Sequence, residues 1–105
     1  MNLLFICNQN KNRSKTAEEL FRGRYITKSA GLFNGTPVTK KDLSWADAVI
    51  VMESAQRSEL ARRFPQLYMQ KRILSFDIPD TYAYDSQKLK KVLLEKAEEY
   101  SSVLR

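Results

Sequence analysis

The sequence predicts an α/β fold: a three-layer sandwich in which a four-stranded parallel sheet carries helices on both faces. Two observations lead there. Strand-like and helix-like segments alternate along the whole chain, the signature of a sheet built from strand–helix–strand units. Residues 48–52, Ala-Val-Ile-Val-Met, are apolar at every position, which suits a central strand covered on both faces. A third observation sets the scale. At 105 residues, 43% apolar and 29% charged, the chain fits one domain over residues 1–105, with enough apolar material for one core without disulfides or metals.

The elements follow in order. Residues 3–6 form a short apolar run, read as a buried strand. The beginning of the chain has no basic front and no small-residue cleavage site, so this run is not read as a secretion signal. A polar stretch covers 8–12. From 14 to 24, Ala17, Leu20 and Phe21 fall at helical spacing, with Glu18 and Glu19 near the start. Residues 25–29 read as a second strand. Gly31 and the Asn34-Gly35 pair mark turns. Thr39 caps a short helix through Trp45, and the 48–52 strand comes next. Ser54 is the expected cap of a helix running towards Phe64 and stopped by Pro65. Residues 72–76 form a fourth strand and 77–85 a loop. Asp85 or Ser86 caps a last helix with Leu89, Val92, Leu93, Ala97, Tyr100 and Leu104 on one face.

The residue inventory narrows the chemistry. The chain has one cysteine and no histidine, so an internal disulfide, a Cys/His zinc site and any imidazole-based mechanism are excluded. No apolar run approaches the roughly 20 residues of a membrane span. With no targeting signal evident, the expected setting is the cytoplasm, where a lone thiol stays reduced. The net charge of +6 points to an anionic ligand or an acidic surface. The basic residues are interspersed with acids and no nucleic-acid motif occurs, so no nucleic-acid partner is expected.

In parallel α/β folds ligands bind beyond the carboxyl ends of the strands, beside helix starts. The segment leaving the first strand reads Cys7-Asn8-Gln9-Asn10-Lys11-Asn12-Arg13-Ser14. A helix start offers unpaired backbone N–H groups and partial positive charge, and a loop that turns such groups inwards cradles a phosphate. The same field favours a thiolate, the nucleophilic form of cysteine, without a histidine. The planar fork of Arg13 suits two phosphate oxygens at once, and Ser14 is placed to donate to the sulfur. The loop has no glycine, but Asn8, Asn10 and Asn12 tolerate positive φ better than most residues. Cys7, Arg13 and the intervening residues are therefore the candidate site, set against the commoner role of a strand-end cysteine as core.

Cleavage of a phosphate ester also needs an acid for the leaving oxygen. Asp77, Asp80 and Asp85 all follow the fourth strand. Asp85 has a ready role as a helix cap and Asp77 ends a strand, whereas Asp80, beside Pro79, has no structural task and is favoured. Tyr82 and Tyr84 follow, either as an aromatic wall for a substrate ring or as cover for the core.

Four stretches together resemble the low-molecular-weight protein tyrosine phosphatase family in a short prokaryotic form. They are Leu4-Phe5-Ile6-Cys7 through Arg13-Ser14-Lys15-Thr16-Ala17-Glu18, then Ser29-Ala30-Gly31, then Ala46-Asp47-Ala48-Val49-Ile50-Val51-Met52, then Ile78-Pro79-Asp80-Thr81-Tyr82. The resemblance implies strand order 2-1-3-4 and a phosphate monoester hydrolase without a cofactor. Cys7 would form a phosphocysteine and Arg13 clamp phosphate, with Asn10 shaping the loop and Ser14 bonding the thiolate. Asp80 would act as general acid and then activate water, and Tyr82 would flank the substrate ring. The implied partners are phosphorylated proteins or small aryl phosphates, with inorganic phosphate or another oxyanion in the loop. Where the family usually has a second cysteine the chain has Asn12, where the acid is commonly followed by Pro it has Thr81, and the stretch between Gly31 and Ala46 is short. The alternative reading is a phosphate-binding module with little catalysis. Arsenate reduction ranks low, because that chemistry usually needs further cysteines.

Overall fold

The computed structural model describes residues 1–104. Strand β1 (Asn2–Cys7) is followed by α1 (Arg13–Phe21), β2 (Ile26–Gly31), α2 (Lys40–Trp45), β3 (Ala48–Val51), α3 (Ser54–Arg63), α4 (Pro65–Gln70), β4 (Arg72–Ser75) and α5 (Gln87–Glu99). The strands form one parallel sheet in the order β2-β1-β3-β4, as expected from the sequence.

Strand periodicity divides the core into two layers. Leu3, Phe5 and Cys7 of β1 point to one face with Ala48, Ile50, Ala17, Phe21, Leu89 and Leu93. Leu4 and Ile6 point to the other with Val49, Val51, Leu43 and Leu60. Side chains alternate across a strand, so β1 and β3 must be apolar throughout to serve both layers. α1 and α5 cover the first face, where Phe5 stacks on Phe21 at 5.7 Å. α2, α3 and α4 cover the second. No helix among the described residues is long and apolar enough to cross a membrane.

Several boundaries differ from expectation for local reasons. α1 stops at Phe21 rather than at residue 24, because the N–H groups of Arg24 and Tyr25 both close on the Phe21 carbonyl, each at 3.0 Å. Ser54 is the first residue of α3 and Glu53 is its cap. Glu53 and Gln56 exchange side-chain and backbone bonds in a capping box. Pro65 ends α3 but also opens α4, since its fixed φ and missing N–H suit the first helical position. Of the two candidate caps for α5, Ser86 takes the role, its Oγ accepting from Leu89 N at 3.1 Å. Thr39 caps α2 in a capping box with Asp42. Leu104 lies past the end of α5, in a turn tied down by Tyr25 Oη, which donates to the Leu104 carbonyl at 2.5 Å.

After β1 the chain moves out to β2 and then returns across β1 to β3. The carboxyl end of β1 is therefore where the connections diverge, the place where α/β sheets open a crevice for ligands. Cys7 is the last residue of that strand.

Candidate active site

Cys7 sits where β1 gives way to a tight loop, residues 8–12, that feeds α1. Asn10 adopts positive φ, 55°, a region short polar side chains occupy more readily than others. This turns its N–H back onto Cys7 Sγ at 3.2 Å. Ser14 Oγ lies 2.9 Å from the same sulfur and also donates to Asn10 Oδ1 at 2.7 Å. A hydroxyl has a single proton, so its direction follows the state of the sulfur. With a thiol, S–H donates to Ser14 and Ser14 to Asn10. With a thiolate, the Ser14 hydroxyl turns to the sulfur and joins the Asn10 N–H as a second donor.

The outside of the loop is pinned as well. The Asn8 carbonyl accepts from Leu32 N at 3.0 Å and Phe33 N at 2.8 Å, and the Cys7 carbonyl accepts from Leu32 N at 3.1 Å. Gln56, 2% exposed, donates from Nε2 to Asn8 Oδ1 at 3.2 Å while its Oε1 accepts from Met52 N and Glu53 N. Gly31 lies opposite Cys7 in the sheet register. A Cβ there would meet the Asn34 side chain at 2.8 Å, so a larger residue would require Asn34, in the turn that follows β2, to move.

Arg13 is the first residue of α1 and only 2% exposed. Its Nη1 donates to Glu53 Oε2 and to the Ile78 carbonyl, each at 2.7 Å. Its Nε lies 3.7 Å from Asp80 Oδ1. A buried guanidinium is tolerable only when its charge and donors are met. Here the start of α3 and the segment after β4 meet them through Nη1, leaving Nε and Nη2, the side-on fork that suits two oxygens of an oxyanion. Glu53 and Gln56 were not singled out from the sequence. Their signal was the Glu-x-x-Gln spacing directly after the most apolar strand, a capping box at the ligand-binding edge of the sheet.

The three candidate acids separate clearly. Asp77, at φ 55°, accepts from Ser75 Oγ at 2.6 Å and Ser54 Oγ at 3.4 Å. Asp85, at φ 60°, donates its N–H to Thr16 Oγ1 at 2.9 Å and pairs with Lys90 at 3.0 Å. Asp80 alone of the three lines a cleft of about 100 Å³, together with Cys7, Asn8, Gln9, Lys11, Asn12 and Arg13. Its side chain is 64% exposed, at the rim of the cleft. Tyr82 packs half-buried against the α1/α5 core layer and is not among the cleft-lining side chains. Its ring escapes water against the apolar side chains of that layer. Tyr84 is exposed and donates to Glu19 Oε1 at 2.5 Å, an acceptor that holds its phenol above the ordinary range.

No family model matches the chain, and no curated protein matches it in sequence. Solved structures match it in fold along nearly its whole length. The tyrosine phosphatase Wzb from Escherichia coli K30, in complex with phosphate, aligns with TM-score 0.79 at 21% identity, covering 99% of this chain and 98% of that one. A low-molecular-weight protein tyrosine phosphatase from T. tengcongensis aligns with TM-score 0.76 at 21% identity, covering 99% and 97%. The YwlE arginine phosphatase from Geobacillus stearothermophilus aligns with TM-score 0.77 at 19% identity, covering 96% and 93%. The chain has the α/β fold of the low-molecular-weight protein tyrosine phosphatases, with the four strands in the same order.

Proposed function

We propose that this protein is a cysteine-dependent phosphatase that hydrolyses phosphate monoesters, with phosphotyrosine in proteins as the preferred substrate. The observation that carries this reading is the convergence on Cys7 Sγ of the Asn10 N–H and the Ser14 hydroxyl, in a cleft whose other walls include Arg13 and Asp80. A core cysteine needs no such donors, whereas a thiolate nucleophile does.

The mechanism follows from these groups. Phosphate binds against the inward N–H groups of the loop and the Nε/Nη2 fork of Arg13. Sγ attacks phosphorus, an S–P bond forms as the P–O bond to the leaving group breaks, and Asp80 delivers its proton to the departing oxygen. Water then attacks the phosphocysteine and gives a proton to Asp80, and the S–P bond breaks to return the thiolate and inorganic phosphate. Arg13 stabilises the charge that spreads over the equatorial oxygens in both steps. A cytoplasmic setting fits, since it keeps the single thiol reduced.

The fold neighbours differ in leaving group, one being a tyrosine phosphatase and another an arginine phosphatase, so the leaving group is tested directly. Hydrolysis is compared for phosphotyrosine, phosphoserine and phosphoarginine peptides by wild type and Cys7→Ser. Cys7-dependent turnover with phosphotyrosine fastest is expected. Wild-type rates in Cys7→Ser would sink the phosphatase reading, and phosphoarginine as the fastest substrate would move the specificity. The exposed position of Asp80 favours the second reading, a phosphate-binding module with little catalysis. It predicts tight oxyanion binding with no Cys7-dependent turnover.

A further inference from the structure

The charges around the cleft do not cancel evenly. Arg13 lies against two carboxylates, Glu53 at 2.7 Å and Asp80 at 3.7 Å. The other cation lining the cleft is Lys11, which is exposed and has no ion pair or hydrogen bond among the described residues. The backbone on either side of it is fixed. Asn10 is held in its left-handed conformation with its N–H on Cys7 Sγ, and the Asn12 carbonyl accepts from Thr16 N at 2.9 Å in the first turn of α1. A cation on a mobile loop would spread its effect over many positions. The backbone that carries this one is fixed, and Lys11 lines the same cleft as Cys7 and Arg13.

We propose that Lys11 is a specificity residue that selects substrates carrying a second anionic group close to the phosphate, in particular phosphotyrosine peptides with Asp or Glu adjacent to the phosphorylated residue. This rests on the phosphatase reading above. The transferred phosphate is served by the loop N–H groups and Arg13, which leaves the Lys11 charge for a neighbouring carboxylate. Such a pair is exposed, so each added acid is expected to raise kcat/KM by about 2- to 5-fold. Because the Debye length is about 8 Å at physiological ionic strength, the preference fades as salt is added.

The test compares three phosphotyrosine peptides, with acidic, neutral or basic residues flanking the phosphorylated position, as substrates for wild type, Lys11→Ala and Lys11→Glu. The quantity read is the ratio of kcat/KM between acidic and neutral peptides, at low and high salt. Wild type is expected to favour the acidic peptide, Lys11→Ala to bring the ratio close to one, and Lys11→Glu to favour the basic peptide. An acidic preference that survives unchanged in Lys11→Ala, or no preference in wild type at low salt, overturns this inference alone. Absence of Cys7-dependent turnover of all three peptides overturns the phosphatase reading and this inference with it.

Discussion

Two loops meet at the carboxyl edge of the sheet, and they are built in opposite ways. The loop after β1 is held from every side. Ser14, Gln56, Leu32 and Phe33 bond to it or to Cys7 before it, its own Asn10 bonds back onto Cys7, and its key atoms come from residues only a few places apart. The segment after β4 is anchored at Asp77 and Asp85, while Asp80 between them is 64% exposed and meets Arg13 at 3.7 Å. The attacking half of the proposed chemistry is thus pre-formed, and the proton-donating half is held more loosely. Preset geometry contributes most where charge develops in the transition state. A group at the rim tightens its contacts only when substrate is bound.

The contrast breaks most sharply at Cys7 and Arg13. Cys7→Ser is expected to reduce hydrolysis of an aryl phosphate to background. Arg13→Ala is expected to lower kcat on the order of 10³-fold, the scale of removing an arginine from a phosphoryl-transfer site. Arg13→Ala also leaves Glu53 and the Ile78 carbonyl without their shared donor, so its fold should be checked by circular dichroism alongside the assay. Retention of most activity in either variant would mean that the pre-formed loop is not the reacting centre.

The looser loop gives a graded signature instead. Asp80→Asn is expected to slow hydrolysis by about 10²- to 10⁴-fold for alkyl phosphates, whose leaving oxygen needs a proton. It should cost much less for nitrophenyl phosphate, whose leaving group is stable as an anion. A plot of log kcat against leaving-group pKa should therefore steepen in the variant. An equal loss across all leaving groups would remove Asp80 from the role of acid.

How much of this was legible in the sequence divides along the same line. The order of strands and helices was readable because alternation and the apolar run at 48–52 are local patterns. The Cys7–Ser14 loop was readable because its atoms are close in sequence, and Asn10 takes the positive φ that its short side chain allows. Pro65 was read as a stop, yet a proline that ends one helix is equally fit to begin the next. Glu53 and Gln56 escaped notice because their partners, Arg13 and Asn8, lie 40 and 48 residues away. Only the sheet brings them together. Tyr82 was placed beside the substrate ring only by the family resemblance; its own residue type left wall or core cover open, and its ring packs half-buried against the α1/α5 layer.

A smaller effect tests whether Glu53 positions Arg13 or merely neutralises it. Glu53 is 42% exposed, so the full cost of orphaning a buried charge does not apply. Glu53→Gln keeps an acceptor for Nη1 but removes the charge. It is expected to destabilise the fold by about 1–2 kcal/mol, below the range for breaking a fully buried pair, and to change KM for phosphate esters more than kcat. Urea denaturation and steady-state kinetics read the two effects separately. An unchanged midpoint together with a large loss of kcat would make the carboxylate part of the reaction rather than of the support.

The smallest effect lies farther from the cleft, on α3. Glu59 accepts from Arg62 Nη2 and from Arg63 Nε, both at 2.5 Å, and Arg63 Nη1 reaches on to the Leu32 carbonyl at 2.8 Å. Leu32 is the residue whose N–H bonds the start of the loop after β1, so this ion-pair group braces the rigid side of the candidate site from behind. The hydrogen bonds from Arg62 and Arg63 hold the Glu59 carboxyl down from 4.5 to about 2. A carboxyl lowered in the folded state contributes stability above its unfolded pKa and loses it as pH falls through the folded value. The melting temperature of wild type should therefore exceed that of Glu59→Gln by a small margin near neutral pH. The margin should shrink as pH drops from about 4.5 and vanish near about 2. Added salt should narrow it too, since the pairs are at the surface. A margin that stays constant down to the lowest pH would show that Glu59 acts through its hydrogen-bonding shape alone, and that the charge of α3 has no part in bracing the loop.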